Sequence, residues 1–223
     1  MELSCLKDKV IISVQAAYGE PLYEESALTA MMQSVVNGGA QGLRVAGERD
    51  VKNAKKLFDI PVIGITKPKI LPENWLDLVY ITPTLEDVNM LISAGADIIA
   101  FDGTSRKREV KIEEYVDLIH KNNRYAMADI STFEEGVNCA ALGCDIVSTT
   151  LSGYTTESLK DSDKPDFELL ERLVKEVNVP VILEGRVWEP KEVKQAFELG
   201  AFAVVIGSAI TRPQLITKRF IQK

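Results

Sequence analysis

The chain has 223 residues, 46% hydrophobic and 26% charged, which suffices for one sizeable core. A formal charge of −7 argues against a general nucleic-acid binder, so an anionic small molecule must be met by local positive charge. A single histidine, His120, nearly excludes histidine-rich metal sites and histidine-dependent triads.

The cysteines, Cys5, Cys139 and Cys144, form no CxxC motif and no even-numbered framework, as expected of reduced thiols in a cytoplasmic protein. The opening "MELSCLKDKV" lacks the apolar stretch of a signal peptide. No apolar run approaches the ~18 residues of a membrane span.

In chain order, the first β-rich run is "VIISVQ" (10–15), followed by a helical pattern over 25–37. "GLRVA" (42–46) precedes a helix over 50–58, and "PVIGITK" (61–67) precedes one over 84–93. "DIIAFD" (97–102) leads to a helix over 110–122, and "YAMAD" (125–129) to one over 132–142. "DIVSTT" (145–150) is followed by the polar loop "ESLKDSDKPD" (157–166) and a helix over 166–177. "PVILEG" (180–185), a helix over 189–199, "FAVVIG" (202–207) and a helix over 212–221 complete the series.

The segments "NGGAQG", "SAGADI", "ALGCDI" and "ELGAFA" each place glycine after a last helical turn. Asp50, Thr132 and Asp166 read as helix N-caps. Eight strand–helix units with nearly continuous apolar strands predict one (β/α)8 TIM barrel, an α/β fold, as a single domain over 1–223. A doubly wound open sheet is the alternative.

In such a barrel, chemistry sits at the carboxyl ends of the strands. Those ends carry Gln15, Arg44, Lys67, Asp102, Asp129, Thr149, Thr150, Glu184, Gly207 and Ser208. Alternation along a strand puts Lys67 on the face of Ile63 and Ile65, Glu184 with Ile182, and Asp129 with Met127. Taken alone, Lys67 reads as a solubilising lysine at a strand exit. Among converging polar ends it reads as an active-site lysine. Low polarity, Arg44 and Arg212 would lower its pKa toward neutrality, suiting a general base or a Schiff-base amine.

Glu184 is either half of a structural salt bridge with Arg186 or Lys67, or a second proton-transfer group. Asp129 either orients a substrate hydroxyl or caps the helix near Thr132, and Asp102 has the same two readings. Arg106, Lys107 and Arg108 form a basic cluster of the kind usually found on a solvated loop. Arg44, inside a short apolar strand, needs an anionic or carbonyl partner. The turns "EGRV" and "IGSAITRP" offer Gly185, Arg186, Gly207 and Ser208 to a phosphate, with Arg212 adding a charge-assisted contact.

These residues carry a family likeness. The segments "VQA…EPLY", "GGAQGLR", "PVIGITK", "YITPT", "MADIST", "STTLSGYT", "DFELLERLV", "EGR" and "GSAITRPQLITKRF" resemble the N-acetylmannosamine-6-phosphate 2-epimerases of bacterial sialic-acid breakdown. The resemblance implies a (β/α)8 barrel that interconverts N-acetylmannosamine 6-phosphate and N-acetylglucosamine 6-phosphate, with no metal or organic cofactor. It makes Lys67 and Glu184 the proton-transfer pair. It makes Gln15, Arg44, Asp129 and Arg212 sugar contacts, and the turns at Gly185–Arg186 and Gly207–Ser208 the phosphate cradle. Three positions depart from the family pattern, which often has His at Tyr23, Cys at Val14 and Gly at Ser208.

One-base and two-base schemes both fit the residues. Another sugar-phosphate epimerase or isomerase, a lysine Schiff-base aldolase and a non-catalytic sugar-phosphate binder are the rival readings. The expected partner is a small sugar phosphate, with no nucleic acid and no membrane. In the last helix, apolar Leu215, Ile216, Phe220 and Ile221 read as packing on the barrel, with a homodimer contact as the alternative.

Overall fold

The computed structural model describes residues 1–160 and 162–221. Eight parallel strands pair in chain order: β1 (Lys9–Val14), β2 (Leu43–Ala46), β3 (Val62–Ile65), β4 (Ile98–Asp102), β5 (Tyr125–Asp129), β6 (Ile146–Ser148), β7 (Val181–Glu184) and β8 (Ala203–Ile206). β8 pairs with β1 and closes the barrel, which rules out the open sheet. Outside lie α1 (Glu25–Asn37), α2 (Glu48–Leu57), α3 (Leu85–Ala94), α4 (Ile112–Lys121), α5 (Phe133–Ala141), α6 (Phe167–Glu176) and α7 (Pro190–Glu198). A short α8 (Ser208–Thr211) and α9 (Pro213–Ile221) follow β8.

Strand alternation divides the apolar residues into two cores. Ile11, Ile63, Ile65, Ile98, Met127, Ile146, Ile182 and Val205 fill the barrel interior. Leu6, from the N-terminal 3-10 turn Leu3–Leu6, packs into the same cluster and is fully buried. The opposite strand faces, including Val14, Leu43, Val45 and Leu183, pack under the helices. Val14 therefore turns away from the mouth, and its departure from the family pattern falls in the helix-facing core. At Gly64 on β3, a Cβ would stand 2.9 Å from the Ala96 Cβ, so glycine is what lets this part of the outer layer sit so close.

The glycines after α1, α3, α5 and α7 (Gly39, Gly95, Gly143 and Gly200) take φ between +92° and +98°, where a side chain is strained. Thr132 and Asp166 cap α5 and α6, accepting from the Glu135 and Leu169 backbone N–H groups. Asp50 does not cap α2. That helix begins two residues earlier, at Glu48 after Gly47, and Asp50 lies inside its first turn, accepting from Arg49 Nε at 2.7 Å. A carboxylate there is favoured by the helix dipole without acting as a cap.

The last helix departs from expectation. None of the residues of α9 is fully buried, and Phe220 and Ile221 are 86% and 72% exposed. Barrel packing thus accounts for neither Phe220 nor Ile221, whereas Ile216 is half-buried and Leu215 lines the cavity at the barrel mouth. Among the described residues, no helix is long and apolar enough to cross a membrane.

Candidate active site

The barrel mouth holds a cavity of about 370 Å³. Its wall takes Ser13 and Gln15 from the β1 end, Lys67 from the β3 end, Thr150 from beyond β6 and Glu184 from β7. The turns after β7 and β8 add Gly185, Arg186, Gly207, Ser208 and Arg212.

Lys67 keeps the inward parity of Ile63 and Ile65 and donates to Gln15 Oε1 at 2.9 Å. Gln15 in turn donates to Ser13 Oγ at 2.7 Å, which fixes the amide. Lys67 reaches solvent through the mouth, yet it stands deep among protein atoms. That burial, with repulsion from Arg44, lowers its pKa to about 8 against the pull of Glu184 and Asp129.

Glu184 sits at the end of the inward face that carries Ile182, and its side chain is 14% exposed. Its ion-pair partner is Arg44, whose Nη1 lies 3.0 Å from Glu184 Oε2; neither Arg186 nor Lys67 fills that role. Burial raises the Glu184 pKa, and Asp129 adds to the rise while Arg44, Lys67 and Thr150 restrain it. The ammonium is thus pushed toward losing its proton and the carboxylate toward holding one. A pair driven together in this way can exchange proton roles.

Arg44 and Asp129 lie beneath the cavity rather than in its wall. Arg44 Nη1 donates to Asp129 Oδ1 at 3.0 Å and Nη2 to Oδ2 at 2.5 Å, with both side chains almost wholly buried. Burial works against the guanidinium charge, but Asp129 and Glu184 outweigh it and raise its pKa. Asp129 does not cap α5, since Thr132 does. The partner that Arg44 required is therefore a pair of carboxylates, one structural and one in the cavity wall.

The two glycine-bearing turns differ. Gly185 takes φ +108° and Arg186 φ +56°, and both residues line the cavity. The Arg186 guanidinium is committed to protein partners, donating to Ser152 O at 2.6 Å and Lys164 O at 2.7 Å beside the Tyr154 ring. Gly207 packs on Ser13, and Ser208 opens α8 at the cavity wall. Arg212 lies at the same end, paired with Glu20, which also accepts from Ala17 N at 2.7 Å and Gln214 Nε2 at 3.2 Å. Among the described residues, the buried Arg212 Nε has no partner. Arg212 and the two glycine-bearing turns thus lie together on the β7–β8 side of the cavity.

Asp102 does not reach the cavity. It is buried, pairs with Arg106 and Arg108, and accepts from Thr104 Oγ1 at 2.6 Å, so it neither caps a helix nor faces a substrate. Arg106 and Arg108 fold back onto it rather than forming a solvated cluster, and only Lys107 stays exposed. Their compensation of a buried carboxylate explains the correction. Tyr23 is also absent from the cavity wall; its ring packs edge-on to Tyr18 and lies under Arg49.

Strand-end reading missed Tyr80, Tyr154 and Trp188, which line the cavity from loops. Tyr80 and Tyr154 fall inside "YITPT" and "STTLSGYT", and that motif specificity was the available signal. Among the described residues, no group of three or more His, Cys, Asp or Glu side chains is placed to hold a metal ion.

A closed (β/α)8 barrel that brings an ammonium of lowered pKa and a carboxylate of raised pKa to one mouth has the site of a proton-transfer barrel enzyme. The comparisons make this specific. Residues 28–223 match the family described as "Putative N-acetylmannosamine-6-phosphate epimerase", and the chain belongs to that family. The matched stretch leaves out β1 and Gln15. A relative from Clostridium perfringens, "Putative N-acetylmannosamine-6-phosphate 2-epimerase", is 47% identical over 98% of this chain and 97% of its own length. One of the same description from Haemophilus influenzae is 43% identical over 98% and 92%. The solved N-acetylmannosamine-6-phosphate 2-epimerase of Clostridium perfringens superposes with a TM-score of 0.92 at 45% identity, covering 99% of this chain and 95% of that one.

Proposed function

We propose that this protein interconverts N-acetylmannosamine 6-phosphate and N-acetylglucosamine 6-phosphate, as an N-acylglucosamine-6-phosphate 2-epimerase of amino-sugar and sialic-acid catabolism. The observation that carries the reading is Lys67 and Glu184 facing one cavity with their pKa values pushed toward each other. In the open-chain sugar, the C2 hydrogen lies next to the C1 aldehyde. Removing that proton leaves its electron pair as an enolate on C1–O; returning a proton to the other face of C2 inverts the centre.

The pair holds one proton between its members in the reactive state. With Lys67 charged and Glu184 ionised, the carboxylate removes the C2 proton and the ammonium supplies the other face. In the reverse direction, neutral Lys67 removes it and protonated Glu184 returns one. Developing negative charge favours this site because Arg44 stays protonated beneath it and Gln15 is held at the wall. Arg212 with the Gly185–Arg186 and Gly207–Ser208 main chain suits the 6-phosphate.

The test is an NMR time course in D₂O with N-acetylmannosamine 6-phosphate. The expected result is the gluco epimer carrying deuterium at C2. Tight binding with no exchange would overturn the reading in favour of a binder. A homodimer joined through α9 belongs to the same proposal, supported by the exposed Phe220 and Ile221. Light scattering that shows only monomer removes the dimer and leaves the catalytic reading standing.

A further inference from the structure

Two carboxylate oxygens, Asp129 Oδ1 and Glu184 Oε2, are bridged twice. Arg44 Nη1 lies 3.0 Å from each. Thr150 Oγ1 lies 2.7 Å from Asp129 Oδ1 and 3.2 Å from Glu184 Oε2. The Ser148 hydroxyl stands 2.9 Å from Thr150 Oγ1 and can supply a proton to it. Thr150 has one hydroxyl hydrogen and so serves one carboxylate at a time. Both contacts to Glu184 fall on Oε2, and among the described residues none donates to Oε1.

We propose that Thr150 is a positioning residue whose hydroxyl swings between Glu184 and Asp129 as Glu184 loses and gains the substrate proton. The inference rests on the epimerase reading above. When Glu184 is ionised, the Thr150 hydrogen turns to Oε2 and, with Arg44, pins that oxygen, leaving Oε1 for the C2 proton. When Glu184 is protonated, the hydrogen turns to Asp129 Oδ1, which stays ionised against Arg44. The hydroxyl therefore follows the proton without leaving either buried oxygen unserved, an economy that matters where an unpaired group is costly. Thr150 sits in the 3-10 turn Thr149–Leu151, and Thr149 holds it against β7 by donating to Glu184 O at 2.9 Å and accepting from Glu184 N at 3.1 Å.

The charged or titratable groups acting on Glu184 come from β2 (Arg44), β5 (Asp129) and the β3 end (Lys67). Tyr80 and Tyr154 from the loops and Arg212 after β8 share its cavity. Removing the Thr150 hydroxyl changes none of these charges, so a shift in the acid limb reports the hydroxyl alone.

The test compares Thr150→Val and Thr150→Ser by the pH dependence of kcat/KM. A charge-assisted hydrogen bond lost from the ionised form moves the acid limb of Thr150→Val up by about one pH unit, so that kcat/KM on the acid side of the limb falls by about tenfold. KM stays within about twofold, since the change falls on the proton held by Glu184 while the residues proposed for the phosphate are unaltered. Thr150→Ser, which keeps the hydroxyl, retains the wild-type profile. If Thr150→Val does not fold, Thr150→Ala carries the same expectation. A hydroxyl-free variant with an unmoved acid limb overturns the inference, whether or not its rate falls. Wild-type protein that fails to epimerise overturns the functional reading instead, so the two failures are distinguishable.

Discussion

Arg44 holds Glu184 from below: its Nη1 stands 3.0 Å from both Glu184 Oε2 and Asp129 Oδ1, while Nη2 donates to Asp129 Oδ2. One buried cation thus offsets two carboxylates, and the cavity holds an acid whose proton affinity, raised by burial, is restrained by a residue outside the cavity wall.

Removing that cation strands both carboxylates in a poor dielectric. Arg44→Met is expected to destabilise the fold by about 3–5 kcal/mol, the cost of an uncompensated buried charge, and to abolish turnover. Arg44→Lys keeps the charge but loses the fork, so it should recover only part of the stability. Urea denaturation measures both; an Arg44→Met midpoint equal to wild type would contradict the account.

The rate should be bell-shaped in pH in both directions. The reactive pair carries one proton. Below the raised Glu184 pKa it gains a second, and above about pH 8 Lys67 gives up the first. An alkaline limb near 8, seen with either epimer as substrate, is the expected outcome of initial-rate measurements. An alkaline limb only near the ~10.4 of a free lysine would contradict it.

The same shift has a stability consequence. Folded Lys67 releases its proton at about 8, whereas the unfolded lysine keeps it to ~10.4. Between those values the unfolded state binds more protons, so stability contributed at this site rises with pH. Lys67→Met should therefore melt no lower than wild type at pH 7 and should lose this increment between pH 8 and ~10.4. Thermal scans at both pH values check the sign.

In the proposed reaction Arg212 is the charge that meets the 6-phosphate. Arg212→Ala is expected to raise KM by about tenfold or more with a smaller change in kcat, the pattern of a contact made alike in ground and transition states. Glu20→Gln, which frees the guanidinium from its present partner, should lower KM or leave it unchanged. Steady-state kinetics separates the two; an Arg212→Ala KM equal to wild type would remove this residue from the phosphate site.

Strand parity made much of the site legible before any coordinates. Lys67 is inward because Ile63 and Ile65 are, and Glu184 because Ile182 is. What sequence left open were relationships across the barrel. Glu184's choice of Arg44 over Arg186 depends on β2 and β7 facing each other across the interior, 140 positions apart, and no spacing encodes that. Asp102 with Arg106 and Arg108 was misread because a loop can fold its own cations back onto a strand end. Asp50 failed as a cap because an acidic residue suits the first turn as well as the position before it. Tyr80 and Tyr154 stand on loops whose paths the apolar pattern does not describe.

The central claim, that Lys67 and Glu184 jointly serve C2, is tested most directly by following C2 deuterium in D₂O with purified, folded Lys67→Met and Glu184→Gln. The account predicts that neither variant produces the epimer at an appreciable rate. Wild-type turnover by either variant would contradict it.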